Sequence, residues 1–308
     1  MNALDGKYLQ AAQTIGRLLV RDVCWADDQC YWLTQSEITK KFGTQPVVAA
    51  CSRGLADGAC GVGLFLARVF SLHDDSLTAD VVAGVSHLLI GSLERSAAMP
   101  PSDRPSDDGE MAAALLEMTN LARLPLEQQS ARRWITQLKL PVTTQPDSLS
   151  SAWRRRRDRD PSRGILYSRI QQFHAACRAG QTEASKPWSP ADLAGEAIRQ
   201  SESDPNRFAC FADPLLADAL LLAAQLSGDS SWLDAARLIA DHVLKRTTEY
   251  GQPWRGAVGR EYPPLGLSEG IAGIGHFLLR LSSDEIPSLL EPRTPTPGPG
   301  VSSYRPTT

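Results

Sequence analysis

The sequence predicts an all-α protein, and three observations carry this prediction. Apolar residues recur at the three-to-four-residue spacing of helices through most of the 308-residue chain. Alternating runs of β-branched residues, which are typical of strands, are nearly absent. A glycine-rich pattern also occurs twice, each time directly before an apolar helical segment. We therefore expect helical hairpins arranged around a common centre.

Ten segments have one apolar face at helical spacing. In the first of them, Tyr8, Ile15 and Leu19 fall on the same face. Each segment is on the order of a dozen residues long, an ordinary length for a helix in a globular protein. The segments are residues 4–23, 62–72, 79–95, 110–122, 127–138, 165–178, 191–200, 214–227, 231–246 and 274–281. Polar loops that contain proline are predicted at residues 100–109 and 141–151.

The composition predicts one domain. No shift in composition marks a second unit, so residues 1–291 are expected to fold together, and the Pro/Gly-rich residues 292–308 are expected to be disordered. A formal net charge of −3 and a pI near 6.0 give no global attraction to nucleic acid or to anionic lipid. The N-terminus has no signal-peptide pattern, and no uncharged apolar run reaches the ~20 residues of a membrane span. A cytoplasmic protein without a nucleic-acid partner or a membrane span is predicted.

The cysteines are expected to be reduced thiols. They are far apart, form no CxxC pair and lie in a chain without a secretion signal, where disulfides are uncommon. The six residues are Cys24, Cys30, Cys51, Cys60, Cys177 and Cys210.

The internal repeat is the most specific feature of the sequence. Residues 54–68 (GLADGACGVGLFLAR) and 266–280 (GLSEGIAGIGHFLLR) both read GLx[DE]GxxGxGxFLxR. The glycine order differs from the GxGxxG of dinucleotide-binding proteins, and no strand is predicted before either copy. Such glycines let the backbone approach neighbouring elements closely where a helix begins. Two such helix starts predict N-termini, with their partial positive charge, around a central cup in a ring of hairpins.

Both copies resemble the first and last inner-helix motifs of lanthionine synthetase C-like proteins. Residues 15–33, with DVCWADDQCYWL, resemble the lead-in segment of that family, and residues 207–243 resemble its late helix pair. The resemblance is poor over residues 80–150. It implies an α/α toroid, a barrel of helical hairpins, that is shortened relative to typical members. It also implies an activity in the maturation of ribosomally synthesised peptides.

Members of the family that the chain resembles have a zinc site, and this chain lacks most of the ligands of that site. Family members bind zinc through a Trp-Cys-x-Gly motif and a Cys-His-Gly motif. Here Trp153-Arg154 puts arginine at the first cysteine, and Cys210-Phe211 keeps the second cysteine but not the histidine. One thiolate does not hold zinc, because tetrahedral sites use three or four protein ligands. No metal and no cofactor are therefore expected.

Candidate site residues follow from the motifs. The candidate catalytic residues are Cys210, Asp213, Asp57 and Glu269. The candidate substrate-binding residues are Trp153, Arg154, Arg155, Arg157, Trp254, Arg255 and His276. Each set has a structural alternative: acids cap helix N-termini, a free cysteine is often a small buried apolar residue, and an arginine cluster is often a solvated loop. As ligands of an acidic or phosphorylated peptide, the arginines would bind bidentately.

Three functions are compatible with these residues. The first is a zinc-independent lanthionine cyclase that adds cysteine thiols to the dehydroamino acids of a precursor peptide. The second is a non-catalytic pseudo-cyclase that binds the leader or the dehydrated core of that peptide, or scaffolds separate kinase-like and lyase-like enzymes. The third is a carbohydrate-active α/α toroid enzyme, which requires a pair of carboxylates in a cup lined with aromatic residues. The low aromatic content, 6%, and the lack of an acid pair beyond Asp57 and Glu269 place it last.

Overall fold

The computed structural model describes residues 3–40, 43–105, 107–137, 189–203, 214–249, 264–268 and 270–289. The described residues are mostly helical, which confirms the helical fold class. Their helices agree closely with the predicted segments, and the predicted segment 165–178 lies outside them. The helices are α1 (Ala3–Arg21), α2 (Ala59–Leu72), α3 (Ser76–Ala97), α4 (Asp108–Leu121), α5 (Pro125–Gln137), α6 (Pro190–Ser203), α7 (Pro214–Ser227), α8 (Ser230–Glu249) and α9 (Ile271–Ser282). A single 3-10 turn (Pro101–Asp103) lies in the first predicted loop.

Two β-hairpins between α1 and α2 were not predicted. One pairs β1 (Cys24–Ala26) with β2 (Gln29–Tyr31), and the other pairs β3 (Leu33–Lys40) with β4 (Gly43–Ala50), both antiparallel. The strands of the first hairpin are three residues long, too short to show a period. In β3 the apolar residues are few and do not alternate with polar ones, so the usual signal of a half-buried strand is missing.

Four helices form an inner row in the order α7, α9, α2, α4, because each packs against the next. Their burial supports this placement: in α2 every residue from Ala59 to Phe70 is buried, and in α9 every residue from Ile271 to Leu281. The other helices cover this row from outside. Helix α1 packs on α9 and α2, α3 on α2 and α4, α5 on α4 and α3, and α8 on α7 and α6.

The first hairpin is held against the helices by tryptophan contacts. The Trp32 indole N–H donates to the carbonyl of Leu19 in α1 at 2.8 Å. On α3, a Cβ at Gly84 would lie 2.6 Å from the Trp25 ring, so only glycine allows the ring this close. The residues between α1 and the second hairpin are therefore in contact with both α1 and α3.

Among the described residues, one helix, α3, is long and apolar enough to cross a membrane by length and composition alone. Half of its apolar stretch is buried inside the protein, where α3 packs against α2, α4 and α5. A core helix of a soluble protein passes the same test. The predicted absence of a membrane span stays a prediction.

Asp75→Ala is expected to destabilise the protein by about 1 kcal/mol at neutral pH. Asp75 is the N-cap of α3, and its carboxylate accepts hydrogen bonds from the Thr78 hydroxyl (2.6 Å) and the Thr78 amide (3.3 Å). The Thr78 hydroxyl lowers the pKa of Asp75 below its ordinary 3.8. A lowered carboxyl pKa gives stability that is present above the unfolded-state pKa and is lost as pH falls through the folded-state pKa.

Urea denaturation across a pH series measures this effect. The difference between wild type and Asp75→Ala should be full at neutral pH and should shrink below pH 3.8. Asp74→Ala is the matched control, because Asp74 is the exposed neighbour in a 3.8 Å ion pair with Arg123 and should cost less than about 0.5 kcal/mol. Equal losses in the two variants would contradict the assigned cap.

Candidate functional site

The two glycine motifs have the same local structure. In the first glycine motif (residues 54–68), the Gly58 amide donates to the Gly54 carbonyl at 3.1 Å. In the second glycine motif (residues 266–280, described except for 269), the Gly270 amide donates to the Gly266 carbonyl at 3.0 Å. Gly58 and Gly270 are the N-caps of α2 and α9, both extended and without a side-chain cap. Equivalent residues therefore start equivalent helices, as the repeat predicts.

The two motifs are also in direct contact. The Ser268 amide donates to the Ala56 carbonyl at 2.8 Å, which joins the loop of one motif to the loop of the other. A Cβ at Gly266 would collide with the backbone of Ala56 and Asp57, and one at Gly275 would collide with the Phe65 ring. The glycines are thus required for close contact between the copies, and they bring the starts of α2 and α9 together.

Each motif ends in a buried arginine that pairs with an acid on the next helix of the inner row. The Arg68 Nη2 and Nε atoms donate to Glu117 Oε1 of α4 at 2.7 and 3.0 Å. The Arg280 Nη1 atom donates to Asp218 Oδ1 of α7 at 2.6 Å, and Arg280 Nη2 donates to Gln225 Oε1 at 2.6 Å. The two motifs therefore share an arginine–acid ion pair as well as a backbone conformation. One ion pair lies on each side of the contact between α2 and α9.

His276 lies between the two ion pairs. Its Nδ1 atom is 2.9 Å from Arg68 Nη1, and its Nε2 atom is 3.8 Å from Asp218 Oδ1. The same Arg68 Nη1 atom is 3.3 Å from the Nε2 atom, so Nδ1 is the nearer ring nitrogen. The exposed fraction of His276 is 0%. We call Arg68, Glu117, His276, Asp218 and Arg280 the buried charge network.

Asp218 accepts hydrogen bonds from outside this network as well. Its second oxygen, Oδ2, accepts from the Ser288 hydroxyl at 2.6 Å and from the Leu289 amide at 2.9 Å. The carboxylate is fully buried, and the four helices of the inner row all contribute to the network. Buried charges persist when they are paired and hydrogen-bonded in this way. The network holds the inner helices in place around the glycine motifs.

Sequence reasoning missed this network, although one signal pointed to it. Both motifs carry an arginine inside an otherwise apolar helix (LFLARVF and FLLRLS). A charged residue on a buried helical face requires a buried partner of opposite charge. The partners, Glu117 and Asp218, lie 49 and 62 residues away along the chain, so the pairing requires the tertiary structure.

Two of the predicted site residues fall within the described part of the chain. Asp57 is exposed in the first motif, where its Oδ1 atom accepts from the Ser52 hydroxyl at 2.7 Å, and that hydroxyl accepts from the Gly54 amide at 3.2 Å. His276 is bound into the buried charge network. The remaining predicted residues lie outside the described residues: Cys210, Asp213, Glu269, Trp153, Arg154, Arg155, Arg157, Trp254 and Arg255.

The cysteines of the described segments are free thiols: Cys24, Cys30, Cys51 and Cys60. Cys177 and Cys210 lie outside the described residues. Burial raises the pKa of the Cys30 thiol to about 12 and also raises the pKa of Cys51. A thiol in this state is a weak nucleophile and a weak metal ligand, because both reactions require the thiolate. Cys30 is the middle residue of β2, and Cys51 directly follows β4.

The described ranges contain no group of three or more His, Cys, Asp or Glu side chains that is arranged to hold a metal ion. No protein-family model matches the chain, and a comparison with curated proteins finds no match.

Proposed function

We propose that this chain is a lanthionine cyclase-like protein of ribosomal-peptide maturation, built as a shortened α/α toroid. The main observation in support is the contact between the two glycine motifs, where the Ser268 amide donates a hydrogen bond to the Ala56 carbonyl. Motifs that are 212 residues apart in sequence start neighbouring inner helices, as the resemblance implies for the first and last hairpins of a ring.

The order of the inner row supports the proposed toroid. In a ring of hairpins, the first and last inner helices must be neighbours, and α9 packs directly against α2. The row continues from α2 to α4 on one side and from α9 to α7 on the other. The two helix N-termini that begin at Gly58 and Gly270 would then open on the same mouth of the ring.

The proposed reaction is the addition of a cysteine thiol to a dehydroalanine or dehydrobutyrine of the same peptide. The thiol loses its proton, a carbon–sulfur bond forms at the β-carbon, and a proton is delivered to the α-carbon, with no net oxidation. Without a metal, the rate must come from holding the thiolate and the alkene together, and from positive charge that lowers the thiol pKa. Under the proposal, Arg154 and the helix N-termini supply that charge, and Asp57, Asp213, Glu269 and Cys210 are the candidates for proton transfer.

The experiment uses a short synthetic peptide that carries one dehydroalanine and one cysteine, incubated with the full chain in the presence of a chelator. Free thiols are counted over time, and the stereochemistry of the ring is determined by chiral chromatography. We expect faster loss of thiol than in buffer and a single stereoisomer, because a bound alkene is protonated on one face. Asp57→Asn should slow the reaction by about 100-fold if Asp57 transfers the proton. Asp22→Asn, an exposed acid in an ion pair with Arg21, should leave the rate unchanged.

A rate equal to that in buffer, with the same mixture of diastereomeric rings as in buffer, would reject the cyclase. The second candidate, a pseudo-cyclase that binds the peptide or scaffolds kinase-like and lyase-like enzymes, would then stand. One observation favours it: Asp57, the single described member of the proposed catalytic set, is bonded to Ser52 within the turn of the motif. Fluorescence anisotropy with the labelled peptide separates the two, since a scaffold binds it without consuming thiol.

A further inference from the structure

The second hairpin, β3–β4, is a two-stranded ribbon that packs mainly on itself. Its residue pairs run from Leu33 and Ala50 at the base to Lys40 and Gly43 at the tip. The described helices pack on one another in the layers given above, whereas the main contacts of β3 and β4 are with each other. Within the described segments, no third strand joins this sheet. Both strands are therefore edge strands, which carry a row of backbone groups that point away from the sheet.

The register of the ribbon determines which backbone groups point outward. The Cys51 amide donates to the Trp32 carbonyl at 2.8 Å, so these residues extend the ladder as a hydrogen-bonded pair. Hydrogen-bonded and non-hydrogen-bonded pairs alternate along an antiparallel ladder. Every second residue of β3, counted from the base, therefore directs its N–H and C=O groups to the outer edge. These residues are Leu33, Gln35, Glu37 and Thr39.

The two outer edges of the ribbon differ in their capacity to pair. On β4 the outward set includes Pro46, which lies opposite Glu37. Proline has no N–H, and prolines on edge strands prevent pairing with another chain. Strand β3 contains neither proline nor glycine over its eight residues, about 27 Å of extended chain. The outer edge of β3 is thus the one that can accept a further strand.

The base of the ribbon lies at the candidate site. Strand β4 leads into Ser52, whose carbonyl accepts from the Ala59 amide in the first turn of α2 at 2.8 Å. The Ser52 hydroxyl donates to Asp57 at 2.7 Å. A Cβ at Gly58, the N-cap of α2, would collide with the Ser52 carbonyl, so the ribbon and the helix start are in close backbone contact. A strand paired with β3 would therefore have one end near the turn that holds Asp57.

We propose that the outer edge of β3 binds an extended segment of the peptide substrate as a third, antiparallel strand. This inference rests on the proposed function, in which a peptide enters the cup. Added strands gain affinity from main-chain hydrogen bonds, and alternate side chains of the added segment face the same side. Antiparallel pairing continues the ladder already present and is slightly more stable per residue than parallel pairing.

The direction of β3 decides which part of the peptide is bound. Strand β3 runs from Leu33 at the base to Lys40 at the tip. An antiparallel peptide runs from the tip to the base, so its C-terminal side leaves the ribbon near Asp57. The segment on β3 is therefore N-terminal to the residues that react. This assigns the leader of the precursor peptide to the hairpin and the dehydrated core to the cup.

The binding experiment uses the full chain and a fluorescein-labelled arm peptide, Thr-Lys-Val-Thr-Val-Thr-Lys-Val, which contains neither cysteine nor a dehydroamino acid. Fluorescence anisotropy measures its Kd for the wild type and for two proline variants. Gln35 and Val48 are directly opposite each other, and each has an outward N–H, one on each edge. Gln35→Pro should weaken binding by about tenfold or more, because it removes a donor and places the proline ring against the added strand. Val48→Pro is the matched control and should leave the Kd unchanged.

Amide hydrogen exchange of the wild type, resolved by NMR, is a second measurement that requires no variant. Saturating arm peptide should slow the exchange of the outward amides of β3, those of Gln35, Glu37 and Thr39, by about tenfold or more. The outward amides of β4, those of Thr44 and Val48, should exchange at the same rate with and without the peptide. This comparison distinguishes pairing at β3 from a general stabilisation of the ribbon.

The direction of binding is tested with two reactive peptides, each with one dehydroalanine and one cysteine. The arm is attached on the N-terminal side in one peptide and on the C-terminal side in the other. The N-terminal arm should lower KM by about tenfold relative to the peptide without an arm, with kcat unchanged, because it raises the effective concentration of the core at the cup. Gln35→Pro should abolish this difference. An equal gain from the C-terminal arm would contradict the assigned direction.

Three results overturn the proposal: no binding of the arm peptide, equal Kd values for the Gln35→Pro and Val48→Pro variants, or slowed exchange at the β4 amides instead of those of β3. Slow exchange of the β3 amides in a dimeric protein without peptide also overturns it, since a second copy of the chain then covers this edge. The arm peptide cannot react, so its binding is measured independently of thiol addition. Failure of this inference is therefore distinguishable from failure of the cyclase proposal.

Discussion

Asp218→Ala is expected to lower the free energy of unfolding by about 3–5 kcal/mol, measured by urea denaturation at neutral pH. The substitution leaves the buried Arg280 guanidinium without its counter-charge. It also removes the acceptor of the Ser288 hydroxyl and of the Leu289 amide. Breaking a buried ion pair from one side is costly because the remaining charge stays desolvated. The loss should appear as a lower urea midpoint with little change in the slope.

The control for this prediction is Glu196→Ala, which removes an exposed carboxylate paired with Arg199 on α6. It should cost less than about 0.5 kcal/mol, the usual range for an exposed pair on one helix. The double variant Asp218→Ala/Arg280→Ala should be more stable than the sum of the single losses predicts, by at least about 1 kcal/mol, because the second substitution removes the unpaired charge. Strict additivity would show that the two side chains do not act as a pair.

Gly266→Ala is expected to destabilise the protein by about 3 kcal/mol, the upper end of the usual cost of overpacking. The added Cβ would meet the carbonyl of Ala56 and the backbone of Asp57. Backbone atoms do not move aside like the end of a flexible side chain. The two glycine motifs must therefore separate, and the bond from the Ser268 amide to the Ala56 carbonyl must lengthen. Thermal and urea denaturation both report the loss.

Gly109→Ala provides the matched control within α4. Nothing lies within 4 Å of a Cβ at Gly109, so alanine meets no obstacle there. Alanine in a helix is favoured over glycine by about 0.5–1 kcal/mol, and this variant should be more stable than the wild type. A loss in both variants would mean that the contact between the motifs is not the cause of the Gly266→Ala effect.

The Asp218→Ala and Gly266→Ala effects arise from the buried ion pairs and from the contact between the glycine motifs. The sequence predicted these two features to different extents. The motif contact was foreseeable, because two copies of a pattern with four glycines imply two close backbone contacts of the same kind. For each ion pair, the sequence indicated only the arginine. Arg68 and Arg280 are charged residues inside apolar helices, whereas Glu117 and Asp218 have no feature that distinguishes them from other acids on helices. Which acid pairs with which arginine depends on helix packing.

For the candidate site, the sequence identified residue types more readily than their roles. His276 was assigned to substrate binding because it lies in an inner-helix motif, and that role stays a prediction. The structure places the side chain between Arg68 and Asp218 with no exposed surface. Asp57 is exposed at the turn of its motif, and its neighbour Ser52 was not part of the predicted set.

The sequence by itself determined the helical class, the extents of most helices and the equivalence of the two glycine motifs. These properties follow from local periodicity and from the backbone freedom of glycine, which act within a few residues of each other. Only the tertiary structure decided the order of the inner row and the partners of the buried arginines. Those features arise where side chains distant in sequence share a buried, low-dielectric space, and the energy of a charge or a void there depends on what packs against it.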